Sequence, residues 1–174
     1  PAWCKHPSIK VIGVKDVKQV QLSDRFQISA TWGPDSKVEL DLPQELTHRT
    51  IPDGRYVFDV GPLVFSVPIQ HVSTDYREYK VPGYADQDVV AANSKWIFPP
   101  AFREPDLATA KLERKALPSG TYPWSENPSL SISTACWNTN PHADEGLDVV
   151  ALNSVKLVPM GTTVLRWTAF PPAR

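Results

Sequence analysis

In the segment HVSTD, His71, Ser73 and Asp75 stand at positions i, i+2 and i+4. On an extended backbone these residues share a face, which lines up a base, a hydroxyl nucleophile and an acid, the parts of an esterase-like hydrolase. Alternate residues on a strand are about 6.8 Å apart along it, however, whereas a triad needs hydrogen-bond contact. The chain also has no GxSxG elbow to expose a serine. A hydrolase built on these residues therefore ranks below a plain polar segment.

A second group, His142, Asp144, Glu145 and Asp148 in NPHADEGLD, follows Asn138 and Asn140 closely enough to surround a divalent cation. Asn, Pro, Asp and Gly are also what a connection between strands uses for its turns, and no EF-hand or zinc spacing is present. The expectation is a solvated loop, with no metal and no cofactor. Asp35, Glu39 and Asp41 near His48 read the same way. Cys4 and Cys136, if bridged, would close a loop of more than 100 residues, worth up to about 4.7 kcal/mol. Two reduced thiols, with Cys136 as a small core residue, is the simpler reading, and the sequence leaves both open.

Three of the five tyrosines, Tyr76, Tyr79 and Tyr84, fall within nine residues, interleaved with Arg77, Glu78, Lys80 and Asp86. Tyrosine and arginine supply large contact area and hydrogen bonding at modest entropy cost, as recognition loops require. Tyr76, Arg77, Tyr79, Tyr84 and Asp86, with Trp124 from the loop TYPWSENP, form the candidate binding set, and no catalytic residue is assigned. The competing reading folds the rings back as a cap on the core. Trp96 to Phe102, with Arg103 and Glu104, is a second aromatic-rich loop.

These side chains need a scaffold, and the pattern of apolar residues describes one. Leu130, Ile132, Thr134 and Cys136 alternate with serines, the pattern of a strand with one dry face. Leu147–Val158 and the segment TTVLRWTAF are further strand candidates. Phe26, Ile28, Ala30 and Trp32 face one way from Asp24 to Trp32. The turn residues Gly33, Pro34 and Asp35 then predict a hairpin with Val38, Leu40 and Leu42. Tyr56, Phe58 and Val60, then Leu63, Phe65 and Val67, flank a Gly61-Pro62 corner. Ser8–Leu22 reads as one long strand with a bulge near Gly13 or Asp16, and Gln44–His48 has room for a single helical turn. His71–Asp88 shows no sustained period and is the best long-loop candidate. PPAFREPDL reads as an interruption, and TAKLERKAL as either a short helix or a charged edge strand.

Eighteen prolines in 174 residues favour short strands joined by fixed turns over helices, because proline suits turns and edge positions. The fold class expected is all-β: an antiparallel β-sandwich or jelly-roll-like barrel with long loops and at most one short helix. A single β domain over 1–174 is expected, and with proline as residue 1 the expectation is a piece of a longer chain. A net charge of −1 with both signs interspersed argues against nucleic acid as a partner. No apolar run is long enough to insert in a membrane. No asparagine carries a glycosylation acceptor pattern.

Tryptophans and prolines spread over short strands, turns such as IPDGRY and LPSGTYP, and the tail VLRWTAFPPAR together give a chain whose character resembles one known group. It resembles the protruding domain of small non-enveloped RNA virus capsid proteins, of nodavirus-like or sinaivirus-like type. The resemblance implies a non-catalytic domain on the virion surface that attaches to a host-cell receptor or glycan and self-associates as a dimer or trimer. The alternative is an extracellular carbohydrate-binding or adhesion module of a secreted protein, whose rings would stack on sugars. The third reading is the His71, Ser73, Asp75 hydrolase.

Overall fold

Phe58, Val60, Phe65 and Val67 are fully buried, and they fix the centre of the fold. They alternate along β6 (Tyr56–Val60) and β7 (Leu63–Pro68), two antiparallel strands in which Phe58 faces Phe65. The corner between them uses Gly61 at φ 57°, a left-handed conformation that a Cβ would penalise. Pro68 ends β7, as expected of a residue without an N–H to give the ladder.

The computed structural model describes residues 1–92, 98–116, 128–140 and 148–173. It divides into two compact units, Pro1–Glu45 and Leu46–Arg174. In the second unit β5 (Leu46–Thr50), β10 (Lys111–Arg114), β11 (Leu130–Asn140) and β12 (Asp148–Pro159) join β6 and β7 in one antiparallel sheet. Its order is β10-β11-β12-β7-β6-β5, and β13 (Arg166–Trp167) also pairs with β7. The sheet curls into a half-barrel. Its core gathers Phe58, Phe65, Phe102, Phe170, Ile132, Cys136, Val155 and Leu157. Phe58, Phe102 and Phe170 meet edge to face at 5.2, 5.3 and 6.1 Å between centroids. Each such pair adds about 0.5–1.5 kcal/mol beyond the area it buries. The all-β, antiparallel class is what the alternation and the prolines imply, and the described residues contain one short α-helix, α1 (Glu104–Leu107).

The first unit is two ribbons. β1 (Ser8–Ile12) pairs with β4 (Lys37–Asp41), and β2 (Lys15–Gln21) with β3 (Phe26–Thr31). The expected single strand over Ser8–Leu22 is therefore two, broken at Gly13 with φ 67°, and Asp16 at φ 52° lies inside β2, where the register with β3 shifts as in a bulge. The expected hairpin of Asp24–Trp32 with Val38–Leu42 also gives way. Ser36 Oγ accepts from Gly33 N–H and donates to Gly13 O at 3.0 Å, which docks the Gly33–Ser36 turn on the β1–β2 corner. Val17, Val20, Leu22, Trp32, Val38 and Leu40 are exposed, whereas Cys4 is buried.

Three further expectations change in the second unit. Gln44–His48 forms no helical turn, and its second half enters β5. TAKLERKAL takes the edge-strand alternative as β10, while the helix lies in PPAFREPDL. There Pro105 fits the first turn, where its missing N–H costs nothing. His71–Asp88 is no loop: β8 (His71–Glu78) and β9 (Ala85–Ala91) pair as an antiparallel hairpin. No helix among the described residues is long and apolar enough to cross a membrane.

Candidate functional site

The β8–β9 hairpin brings five of the six residues of the candidate binding set together. Asp75 pairs with Gln87 and Arg77 with Asp86, so Tyr76 is the extra residue of a bulge. Beyond the bulge the alternation resumes, and Tyr79 N–H donates to Tyr84 O at 3.1 Å, which sets those two residues opposite each other. Arg77, Tyr79, Tyr84 and Asp86 thereby share one face. The tip turns at Gly83, φ 83°.

Contacts on that face fix one ring and leave another open. The Tyr79 hydroxyl donates to Asp86 Oδ2 at 2.7 Å. The Arg77 guanidinium lies over the Tyr79 ring, 5.3 Å from its centroid. The bond to Asp86, and secondarily burial, holds the Tyr79 phenol above its ordinary pKa. Tyr84, at 69% exposure, and Tyr76, at 65%, carry no such tether. The rings do not fold back as a core cap. Trp124 and Trp96 lie outside the described residues.

His71, Ser73 and Asp75 do share the other face of β8, but they do not form a triad. No hydrogen bond joins their side chains, and Asp75 Oδ1 instead accepts from Gln87 Nε2 at 2.6 Å. The cause is the strand itself, whose pitch holds alternate side chains too far apart for proton transfer. His142, Asp144 and Glu145 lie outside the described residues, as does the side chain of Asp148. Among the described residues no group of His, Cys, Asp and Glu could hold a metal ion. Glu39 is occupied by lysines, at 2.6 Å from Lys37 Nζ and 3.9 Å from Lys10 Nζ. Cys4 and Cys136 are buried thiols with no bridge between them.

One polar cluster was not expected from the sequence. Asp106, in α1, accepts from the Arg103 backbone N–H at 2.8 Å and from Trp137 Nε1 at 2.9 Å, both through Oδ2. The Arg103 guanidinium stacks over the Trp137 ring at 4.1 Å. Next to it, the Tyr56 hydroxyl donates to Glu104 Oε1 at 3.3 Å. Burial first, and then the negative charge of Glu104, raises the Tyr56 pKa. On β10, Glu113 accepts from Ser133 and Ser131, and these bonds lower its pKa. The signal for the first cluster was the Arg-Glu-Pro-Asp order, with an acid at the third helical position able to reach back to the cap.

Carboxylates dominate these arrangements, each held by a neutral or cationic donor. Among the described residues Asp59 is also held, by Arg49 Nε at 2.8 Å. The hairpin face differs in combining an open aromatic ring with hydrogen-bonding groups beside it.

No family model matches this chain, and no curated protein matches it in sequence. Among solved structures, a glycoside hydrolase is similar over 100% of this chain and 27% of its own, with a TM-score of 0.57 and 17% identity. A GH127 β-L-arabinofuranosidase from Geobacillus stearothermophilus T6 is similar over 93% of this chain and 23% of its own, with a TM-score of 0.51 and 12% identity. The likeness is one of fold, and the chain spans about a quarter of the length of each of these proteins. It corrects two expectations. The role of a non-catalytic capsid surface domain is overturned, because both likenesses are to glycoside hydrolases. The expectation of no enzymatic activity falls on the same finding. Short strands with many prolines and tryptophans belong to β domains of many kinds, so that general character does not single out a capsid domain.

Proposed function

We propose that this chain is the β-structured part of a glycoside hydrolase. The observation that carries this reading is the extent of the fold likeness, which runs over 100% of the chain in one glycoside hydrolase and 93% in another. Glycosidic bonds are hydrolysed by paired carboxyl groups, one acting as acid and the other as nucleophile or base. In this reading the β units frame a saccharide-processing polypeptide, and the whole protein performs the hydrolysis.

The test is release of nitrophenol from a panel of 4-nitrophenyl furanosides and pyranosides, with the β-L-arabinofuranoside included because of the second likeness. Hydrolysis of at least one glycoside by the whole protein is the expected result. No turnover of any member by well-folded protein would overturn the reading.

A further inference from the structure

We propose that the face of the β8–β9 hairpin bearing Arg77, Tyr79, Tyr84 and Asp86 is a binding site for a neutral saccharide chain. The choice of saccharide rests on the glycoside hydrolase reading, and the site itself rests on the geometry of the face. A sugar ring offers an apolar C–H surface ringed by hydroxyls. Its complement is an exposed aromatic ring with planar hydrogen-bonding groups at its border.

The hairpin supplies both parts. Tyr84 exposes 69% of its surface, directly across from Tyr79. Tyr79 is held in place from two sides, by Asp86 at its hydroxyl and by Arg77 over its ring. Asp86 directs Oδ2 to Tyr79, which leaves Oδ1 for a ligand hydroxyl. Arg77 stands across from Asp86 in register, yet makes no ion pair with it and stacks on Tyr79 instead. Its N–H groups remain available to adjacent hydroxyls, the geometry a planar guanidinium suits. Because Tyr79, Asp86 and Arg77 already brace one another, little side-chain freedom is lost on binding.

Charge selects among ligands. The hairpin carries four carboxylates, Asp75, Glu78, Asp86 and Asp88, against two cations, Arg77 and Lys80, a net of −2. That field repels uronates and sulfated glycans. A protein partner fits less well, since interface cores are depleted in Asp, and Asp86 stands on the same face as the two rings.

Affinity electrophoresis of the full 174-residue chain tests the proposal, in gels containing linear arabinan, xylan, mixed-linkage β-glucan or, as the anionic control, polygalacturonate. The chain should be retarded by at least one neutral polysaccharide and not by polygalacturonate. Tyr84→Ala should weaken that retardation about tenfold, the loss of one stacking contact. Tyr84→Phe should keep it, and circular dichroism should show both variants folded with unchanged melting. Absence of retardation on every neutral gel would refute the site, as would an unaffected Tyr84→Ala or equal retardation by polygalacturonate. A concentration-dependent dimer that Tyr84→Ala dissolves would mark the face as a self-association surface and refute it too. Nitrophenyl glycoside hydrolysis is scored separately. Retardation without hydrolysis upholds the site and removes the glycosidase reading, and hydrolysis without retardation does the reverse.

Discussion

The indole N–H of Trp137 donates to Asp106 Oδ2 at 2.9 Å, the same oxygen that accepts from the Arg103 backbone N–H. A strand of the main sheet and the start of the short helix are thus joined through one carboxylate oxygen. Hydrogen bonds to a charged acceptor are the stronger kind, about 1.5–3 kcal/mol each. Asp106→Ala should lower the unfolding free energy by about 3 kcal/mol or more, since two donors lose their acceptor. Asp106→Asn should cost less, because an amide oxygen still accepts. Urea titration followed by tryptophan fluorescence measures both, and equal losses in the two variants would show that the charge contributes nothing.

Phe102 is fully buried and touches both Phe58 and Phe170 edge to face. Its removal would leave a cavity at the meeting point of three segments. Phe102→Ala should cost about 3–5 kcal/mol and Phe102→Leu distinctly less, read from the urea midpoint. A loss under about 1 kcal/mol in the alanine variant would show that the neighbouring rings collapse into the space.

Tyr56 makes stability depend on alkaline pH. Its phenol is raised above the ordinary value of 10.0 by burial and by Glu104. The folded state therefore holds this proton more tightly than the unfolded chain. The stabilisation it gives is complete below the unfolded pKa near 10 and is lost as pH rises through the higher folded value. The urea midpoint of the native protein should fall between about pH 8 and pH 11 by more than that of Tyr56→Phe. Parallel pH profiles for the two proteins would remove Tyr56 as the cause.

Gly13 allows the corner of the first unit to close. At φ 67° it takes a conformation that disfavours side chains, and a Cβ there would stand 2.7 Å from Asp35 O. Backbone atoms cannot yield as a flexible side chain would. Gly13→Ala should destabilise that unit by about 2 kcal/mol or more, from left-handed strain and the close approach together. Amide hydrogen exchange in β1 and β4 should accelerate accordingly. Unchanged protection there would show that the corner can shift without cost.

The sequence revealed most where alternation alone decided the outcome. Phe58, Val60, Phe65 and Val67 lie where their spacing places them, and so do Ile132, Thr134 and Cys136. It revealed less where a neighbouring strand changed the environment. Ser131, on the side of β11 expected to be wet, is buried under the carboxylate of Glu113. The tyrosine segment was legible as a concentration of rings and charges but not as a hairpin. The extra residue at Tyr76 shifts the period between Val72, Thr74 and Arg77, Tyr79, so the segment looks aperiodic although both halves are regular. The Arg103, Asp106 and Trp137 cluster joins residues 31 positions apart, a distance that local pattern cannot bridge.

Phe170 and Tyr56 exchange both backbone hydrogen bonds, Phe102 N–H donates to Pro171 O, and Ala173 N–H donates to Phe102 O. The segment ending at Ala173 is thus laced between two others made much earlier in synthesis. On the ribosome, the aromatic cluster of this unit lacks the Phe170 ring until that segment has emerged. Ribosome pausing shortly before it would hold an uncovered Phe58 and Phe102 within reach of chaperones.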